Sequence, residues 1–287
     1  MKQYFFTIGL AMPIVSSMSF LGCREVRTLE ETTFWQELDP AGIEEQLHFV
    51  PLDLPNEYFW RGNNLDIDEK PVHQVSLTTP IVVTRHEITQ QLYVDIMEHN
   101  PSFFKDCPQC PVEKVRWIEA IEFANRLNTI LGLPICYAIL ERGEVEWSEG
   151  TRCTGWRLPT EAEWEWMAQS GQYKYQVLNR LAWFSDNADN RSHPVCTRDL
   201  DRNGLCDVLG NVQEWVWDVA EAYPSKYPNR PLVDPIGPEE GTHHVFRGGA
   251  WNRYGENLSP TIRKDASYLF RNNDLGFRLV RTIISKP

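Results

Sequence analysis

Apolar residues recur at helical spacing in two stretches of this chain. Ile88, Leu92, Ile96 and Met97 share one face of residues 88–99, which predicts an amphipathic helix. Trp117, Ile121, Ala124 and Leu127 repeat the pattern over 115–131, and Gly132 and Pro134 end it. A third helix is predicted over 161–169, where Thr160 and Glu163 form a capping-box pair and Pro159 stiffens the entry. Partial alternation over 75–83, and the runs 245–248 and 277–283, predict strands. Long segments dense in Gly, Pro, Asn and Asp lie between these elements, and loops of such length need other means of support. Eleven Trp are available for that task. Trp117, Trp147, Trp156, Trp164, Trp166, Trp183, Trp215, Trp217 and Trp251 are read as core packing rather than as a sugar-stacking platform.

The N-terminus follows a different pattern. Within residues 1–22 the only charge is Lys2, and the run from Tyr4 to Phe20 is mostly apolar. That run is marginal for a membrane span and reads as an export signal. Leu21-Gly22-Cys23 resembles a bacterial lipoprotein cleavage site, with Cys23 as the acylated residue, although Phe20 and Leu21 are bulkier than such positions usually carry. Residues 23–46 are rich in Glu and Asp and suit an acidic tether with a short helix. A single large domain is expected over 47–284. The expected location is therefore the bacterial cell envelope, with membrane contact through an N-terminal lipid.

Composition narrows the partners. The net charge of −12 repels phosphate backbones and no basic stripe interrupts it, so nucleic acid is excluded as a partner. Besides Cys23 the chain has six cysteines, Cys107, Cys110, Cys136, Cys153, Cys196 and Cys206. An even number in an exported chain suggests three bridges, for which six cysteines allow fifteen pairings. Pairing neighbours along the chain is the economical choice. Cys107-Pro108-Gln109-Cys110 could also be a redox pair, but no thioredoxin-like strand and helix surround it.

Four blocks occur in a fixed order: Arg157-Leu158-Pro159-Thr160-Glu161-Ala162-Glu163-Trp164; Gly204-Leu205-Cys206-Asp207-Val208-Leu209-Gly210-Asn211-Val212-Gln213-Glu214-Trp215; Arg247-Gly248-Gly249-Ala250-Trp251; and Gly276-Phe277-Arg278-Leu279-Val280. Glu69-Lys70-Pro71-Val72-His73 and Glu87-Ile88-Thr89-Gln90 precede them. Together they resemble the sulfatase-modifying factor family, whose best-known members are the formylglycine-generating enzymes. The resemblance implies an α+β, C-type-lectin-like fold with few helices, short strands and much irregular structure.

It also implies a calcium site, carried onto Asp207, Gly210, Val212 and Glu214, with the hard oxygen donors that calcium requires. Asp199 to Gly204 imitates the start of an EF-hand loop, but Gly210 occupies the position of its bidentate Glu. The enzymes of the family oxidise a substrate cysteine with dioxygen at a copper(I) ion held by two thiolates, four and nine residues after the second Gly of the R-G-G block. Those positions are Arg253 and Leu258 here, and no cysteine follows Cys206. Monovalent copper selects sulfur, so neither copper nor a catalytic residue is expected. The seven His are scattered, and of His193, His243 and His244 the last two stand side by side on a strand and point differently, so one metal would rarely see both; Ser259 and Asp265 carry no nucleophile motif. The leading expectation is a non-catalytic binding or assembly protein of the cell surface, with a protein or glycan partner in a groove at Trp251, Asn252, Arg253, Arg263 and Asp265. The alternative is a formylglycine-generating oxidase acting on sulfatases.

Overall fold

Local chemistry sets the helix ends. The Thr89 hydroxyl accepts the Leu92 N–H and starts helix α2, Gln90–Met97, which Glu98 ends in the left-handed conformation (φ 65°). Ile88 stays outside it, exchanging backbone bonds with Phe277 and Val112. Helix α3, Trp117–Ile130, opens where the Glu119 carboxylate accepts the Arg116 N–H and ends before Gly132 (φ +65°). Helix α4, Glu161–Ala168, carries both halves of the capping box: Thr160 Oγ1 accepts the Glu163 N–H at 3.1 Å, and Glu163 Oε2 accepts the Thr160 N–H at 2.8 Å. Before these comes α1, Pro40–Leu47, and after them α5, Tyr175–Leu181. In this computed structural model, residues 39–141, 143–169, 175–223 and 230–283 are described. The segment 1–22 expected to be a signal, Cys23 and the first part of the expected tether lie outside the described residues. The end of the tether region is not a tether: Ile43 and Leu47, one turn apart on α1, are buried in the main core. The domain therefore begins ahead of residue 47.

The strands are short, as expected of an α+β fold of this kind. One four-stranded sheet has the order β1 (Phe49–Leu52), β4 (Ile81–Thr84), β13 (Val280–Thr282), β7 (Trp156–Arg157). A second runs β11 (Arg263–Ser267), β10 (His243–Arg247), β8 (Gln213–Val219), β12 (Leu275–Gly276). Smaller sheets join β2 (Phe59–Arg61), β3 (His73–Ser76) and β9 (Leu232–Val233), and β5 (Ala138–Ile139) with β6 (Val145–Glu146). Two predicted strands change their bounds. Residues 75–83 become β3 and β4 because Pro80 cannot donate to a ladder and Thr78 turns aside to bond Asp234. The strand predicted over 277–283 shortens to β13, because at 277–279 the chain is still crossing from β12, parallel to β8, to β13, antiparallel to β4 and β7. Arg278 sits at that crossing. The main core gathers α1, α2 and α3 around Trp117, Trp156, Trp215 and Phe277, and a second cluster forms around Trp164, Met167, Val216, Val245 and Val280. Six of the nine Trp named above are buried, which fits their reading as core.

Candidate functional site

The sequence blocks meet through buried carboxylate–guanidinium pairs. Arg157, on β7, donates from both terminal nitrogens to Glu163 on α4, each at 2.7 Å. Glu161 faces three guanidiniums: Arg61 at 2.5 Å, Arg263 at 2.7 Å and Arg247 at 3.6 Å. Burial alone would push the Glu161 carboxyl up, but those three cations hold it down to about 2. Glu165, one turn further along α4, accepts the Gly62 N–H and the Arg247 guanidinium. Asp218 accepts the Glu161 N–H at 2.7 Å; burial, then repulsion by Glu161, pushes its carboxyl up to about 7. Glu214 takes Arg278 on both oxygens at 2.7–2.8 Å, and Trp164 Nε1 donates to it at 2.7 Å. Arg278 also donates to the carbonyls of Thr84, Arg85 and Cys206. These contacts tie blocks far apart in sequence to one another.

The residues named for calcium lie beside this network. Asp207 is buried: Oδ2 accepts the Cys196 N–H at 2.7 Å, while Oδ1 has no partner. Gly210 is held at φ +86°, where a Cβ would come within 2.3 Å of the Trp183 carbonyl oxygen, so only glycine fits. Asn211 joins three loops: its N–H donates to Trp183 O, its side chain bonds the His193 backbone, and its carbonyl accepts the Trp251 N–H. Val212 is buried at the start of β8. Glu87, which heads the Glu-Ile-Thr-Gln segment but was given no site role from sequence, is fully buried with neither carboxylate oxygen bonded. Burial, followed by repulsion from Asp207, raises its carboxyl well above the usual range. The unbonded oxygens of Asp207 and Glu87 are of the donor type a hard cation takes. Such a cation fits Glu214 less well, since both oxygens there already hold a guanidinium. Asp201 accepts the N–H groups of Asn203 and Leu205, and Asp199 pairs with Arg180. The EF-hand-like stretch is thus a set of turns.

The cysteines form three neighbouring bridges, Cys107–Cys110, Cys136–Cys153 and Cys196–Cys206. At the two positions of the family's thiolates, Arg253 pairs with Asp274 at 3.0 Å, while Leu258 is buried in the second core cluster against Gly249. The three histidines weighed as a metal site do not converge: His193 stacks on Trp183, His244 is buried against Trp117 and bonds Trp217 O, and His243 is exposed.

The groove expected at five residues separates into two places. Arg263 and Asp265, on β11, line an open groove of about 1110 Å³. Trp251, Asn252 and Arg253 do not line it. They are anchored at the turn before β12, where Trp251 Nε1 donates to Asn273 O and Asn252 and Arg253 both reach Asp274 Oδ2. The loop 252–262 separates the two sets in sequence, and adjacency to the R-G-G block gave no measure of that distance. The groove also takes Glu69 from the opening segment, Asn63, Leu65, Asp66 and Asp68 from the loop after β2, Glu221 after β8, and Glu240 to His243 entering β10.

Residues 54–283 match the model of the sulfatase-modifying factor enzyme 1-like domain. The chain belongs to that family. A relative named "Chaperone protein LppX", from Paenibacillus barcinonensis, is 30% identical over 240 residues, covering 70% of this chain and 79% of its own. The formylglycine-generating enzyme of Streptomyces coelicolor is 31% identical over 167 residues, 47% of this chain and 50% of that enzyme, so the match spans about half of its length. Among solved structures, Treponema denticola variable protein 1 superposes with TM-score 0.74 at 29% identity, covering 81% of this chain and 94% of that one. PvdO from Pseudomonas aeruginosa, at TM-score 0.65 and 20% identity over 82% and 94% of the two chains, shows the shared fold. Within the family signature, Arg157, Glu161, Glu163, Glu214, Arg247 and Arg278 all work as buried ion pairs. Their partners Arg61 and Asp218, and the unbonded Glu87, were missed from sequence. An isolated acid or base carries no periodic signal, although Glu87 heads the Glu-Ile-Thr-Gln segment.

Proposed function

We propose that this family member is a non-catalytic binding or assembly protein, exported and lipid-anchored through Cys23 at the bacterial cell surface. One observation carries the reading: the two positions where the family's oxidases place copper thiolates hold an ion-paired Arg253 and a core Leu258. All six cysteines of the domain are in bridges, so none is left as a soft-metal thiolate. The signature that relates this chain to those enzymes is used here to build buried ion pairs, so sharing it supports shared fold more than shared chemistry. The Paenibacillus relative's name, a chaperone protein, supports a role in holding polypeptide. Among the described residues no helix is long and apolar enough to cross a membrane, and the lipid at Cys23 would supply the membrane contact. A structural calcium ion at Asp207, with the Gly210 and Val212 backbone and either Glu87 or Glu214, belongs to the same proposal.

The test is turnover. The purified protein is incubated in air with copper and a peptide containing Cys-x-Pro-x-Arg, and the peptide is weighed by mass spectrometry. An unchanged thiol is the expected result. Conversion of the cysteine to an aldehyde above the metal-free control would establish the rival reading, a formylglycine-generating oxidase acting on sulfatases.

A further inference from the structure

The groove beside β11 has a chemistry that selects its occupant. Seven acidic residues line it against Arg263 and Lys264. Six of the acids are exposed (Asp66, Asp68, Glu221, Glu240, Glu256 and Asp265), and none forms an ion pair among the described residues. Arg263 offsets little of this charge, because its guanidinium is already committed to both oxygens of Glu161 and to the Glu221 carbonyl. Six exposed carboxylates around one concavity with a low-dielectric wall, offset chiefly by Lys264, make a negative field that concentrates cations.

Charge alone would suit any cation, but the rim carries a second, apolar feature. Leu65 lines the groove and is 91% exposed, and Ile67, two residues on, is 78% exposed. They alternate with Asp66 and Asp68 along one loop. Val219 and Ile262 add aliphatic surface to the lining. Two large aliphatic side chains this exposed on one loop give the acidic groove an apolar rim. Lysine and arginine match such a rim, since their methylene stems lie on apolar surface while their heads reach acids. A sugar would want aromatic faces, and among the described lining residues the one Phe, Tyr or Trp, Phe246, is 7% exposed.

We infer that this groove holds an extended polypeptide segment in which basic residues alternate with aliphatic ones. The inference rests on the binding-protein reading above and names the partner that reading leaves open. The alternation follows from strand geometry: successive side chains of an extended chain point to opposite sides, so one register sets cations on the acids and aliphatics on Leu65 and its neighbours.

The experiment uses the full chain carrying Cys23→Ser, purified without detergent, and fluorescence anisotropy with three labelled twelve-residue probes. One alternates Lys and Leu, one Glu and Leu, and one Lys and Ser. Expected are saturable binding of the Lys-Leu probe at least tenfold tighter than either control, and a loss of affinity as salt is raised. The triple variant Asp66→Asn, Asp68→Asn, Glu256→Gln should weaken that probe at least tenfold with an unchanged melting temperature. Leu65→Ser should weaken Lys-Leu but not Lys-Ser. Equal binding of the Glu-Leu probe, or full affinity in the triple variant, overturns the inference. So does displacement by spermine with Lys-Ser binding as tightly as Lys-Leu, which would mark a plain cation site. These failures leave the non-catalytic reading standing, whereas aldehyde formation in the copper assay would remove it whatever the probes do.

Discussion

Arg278 and Glu214 are both fully buried, and each satisfies the other through paired bonds. Removing one charge of such a pair leaves the other in a medium that cannot solvate it, at a cost of about 3–5 kcal/mol. Arg278→Ala should therefore lower the urea midpoint sharply, while Arg278→Lys should recover part of the loss. Little change in Arg278→Ala would mean that the pair does not anchor the fold. Glu113 shows the opposite sign. Its Oε1 accepts the Phe103 and Phe104 N–H groups, Oε2 is buried without a partner, and burial raises its carboxyl from 4.5 to about 7. A group raised on folding stabilises most while protonated, so its contribution is complete below about pH 4.5 and fades as pH rises through about 7. Glu113→Gln keeps the acceptor and removes the titration. It should match the parent near pH 5 and be more stable near pH 8, and parallel urea midpoints at both pH values would refute the assignment. Residue-level legibility was uneven for a physical reason. The Thr160–Glu163 capping box lies within one helical turn and could be read directly. The partners of Glu161 at positions 61, 247 and 263 come from three other elements, which no local pattern connects.

At the scale of elements, apolar periodicity located α2 and α3, and the capping box located α4, to within about two residues. Strands were harder to bound. Alternation continued through Pro80 and through the crossing at residues 277–279, where the sheet partner changes but the side-chain pattern does not. The bridges hold the irregular segments between. Cys136–Cys153 closes 17 residues and Cys107–Cys110 closes 3. Loop-closure entropy grows with the closed length, about 3 kcal/mol for a loop of ~15 residues. Replacing Cys136 and Cys153 with Ala should thus lower the melting temperature by several degrees, and by more than the same change at Cys107 and Cys110. The reverse order would show that the C-x-x-C bridge has a role beyond closing its loop.

For the molecule as a whole, the fold was legible from four sequence blocks because those blocks carry the ion pairs that assemble it. The groove was legible only in part. Arg263 and Asp265 were found through a family position, while the acidic and aliphatic rim at residues 63–69 comes from a loop almost 200 residues away in sequence. Calcium is testable at this scale. Chelation should lower the melting temperature by several degrees, as expected when an ion binds only the folded state, and Asp207→Asn should remove that response. A chelator with no effect on the parent would take Asp207 out of the cation proposal. The most direct measurement for the central claim is a copper(I) competition titration of the disulfide-intact protein against a chromogenic chelator. With Arg253 and Leu258 standing where the thiolates would be, the chelator should keep all of its copper. One equivalent withheld by the protein would contradict the account.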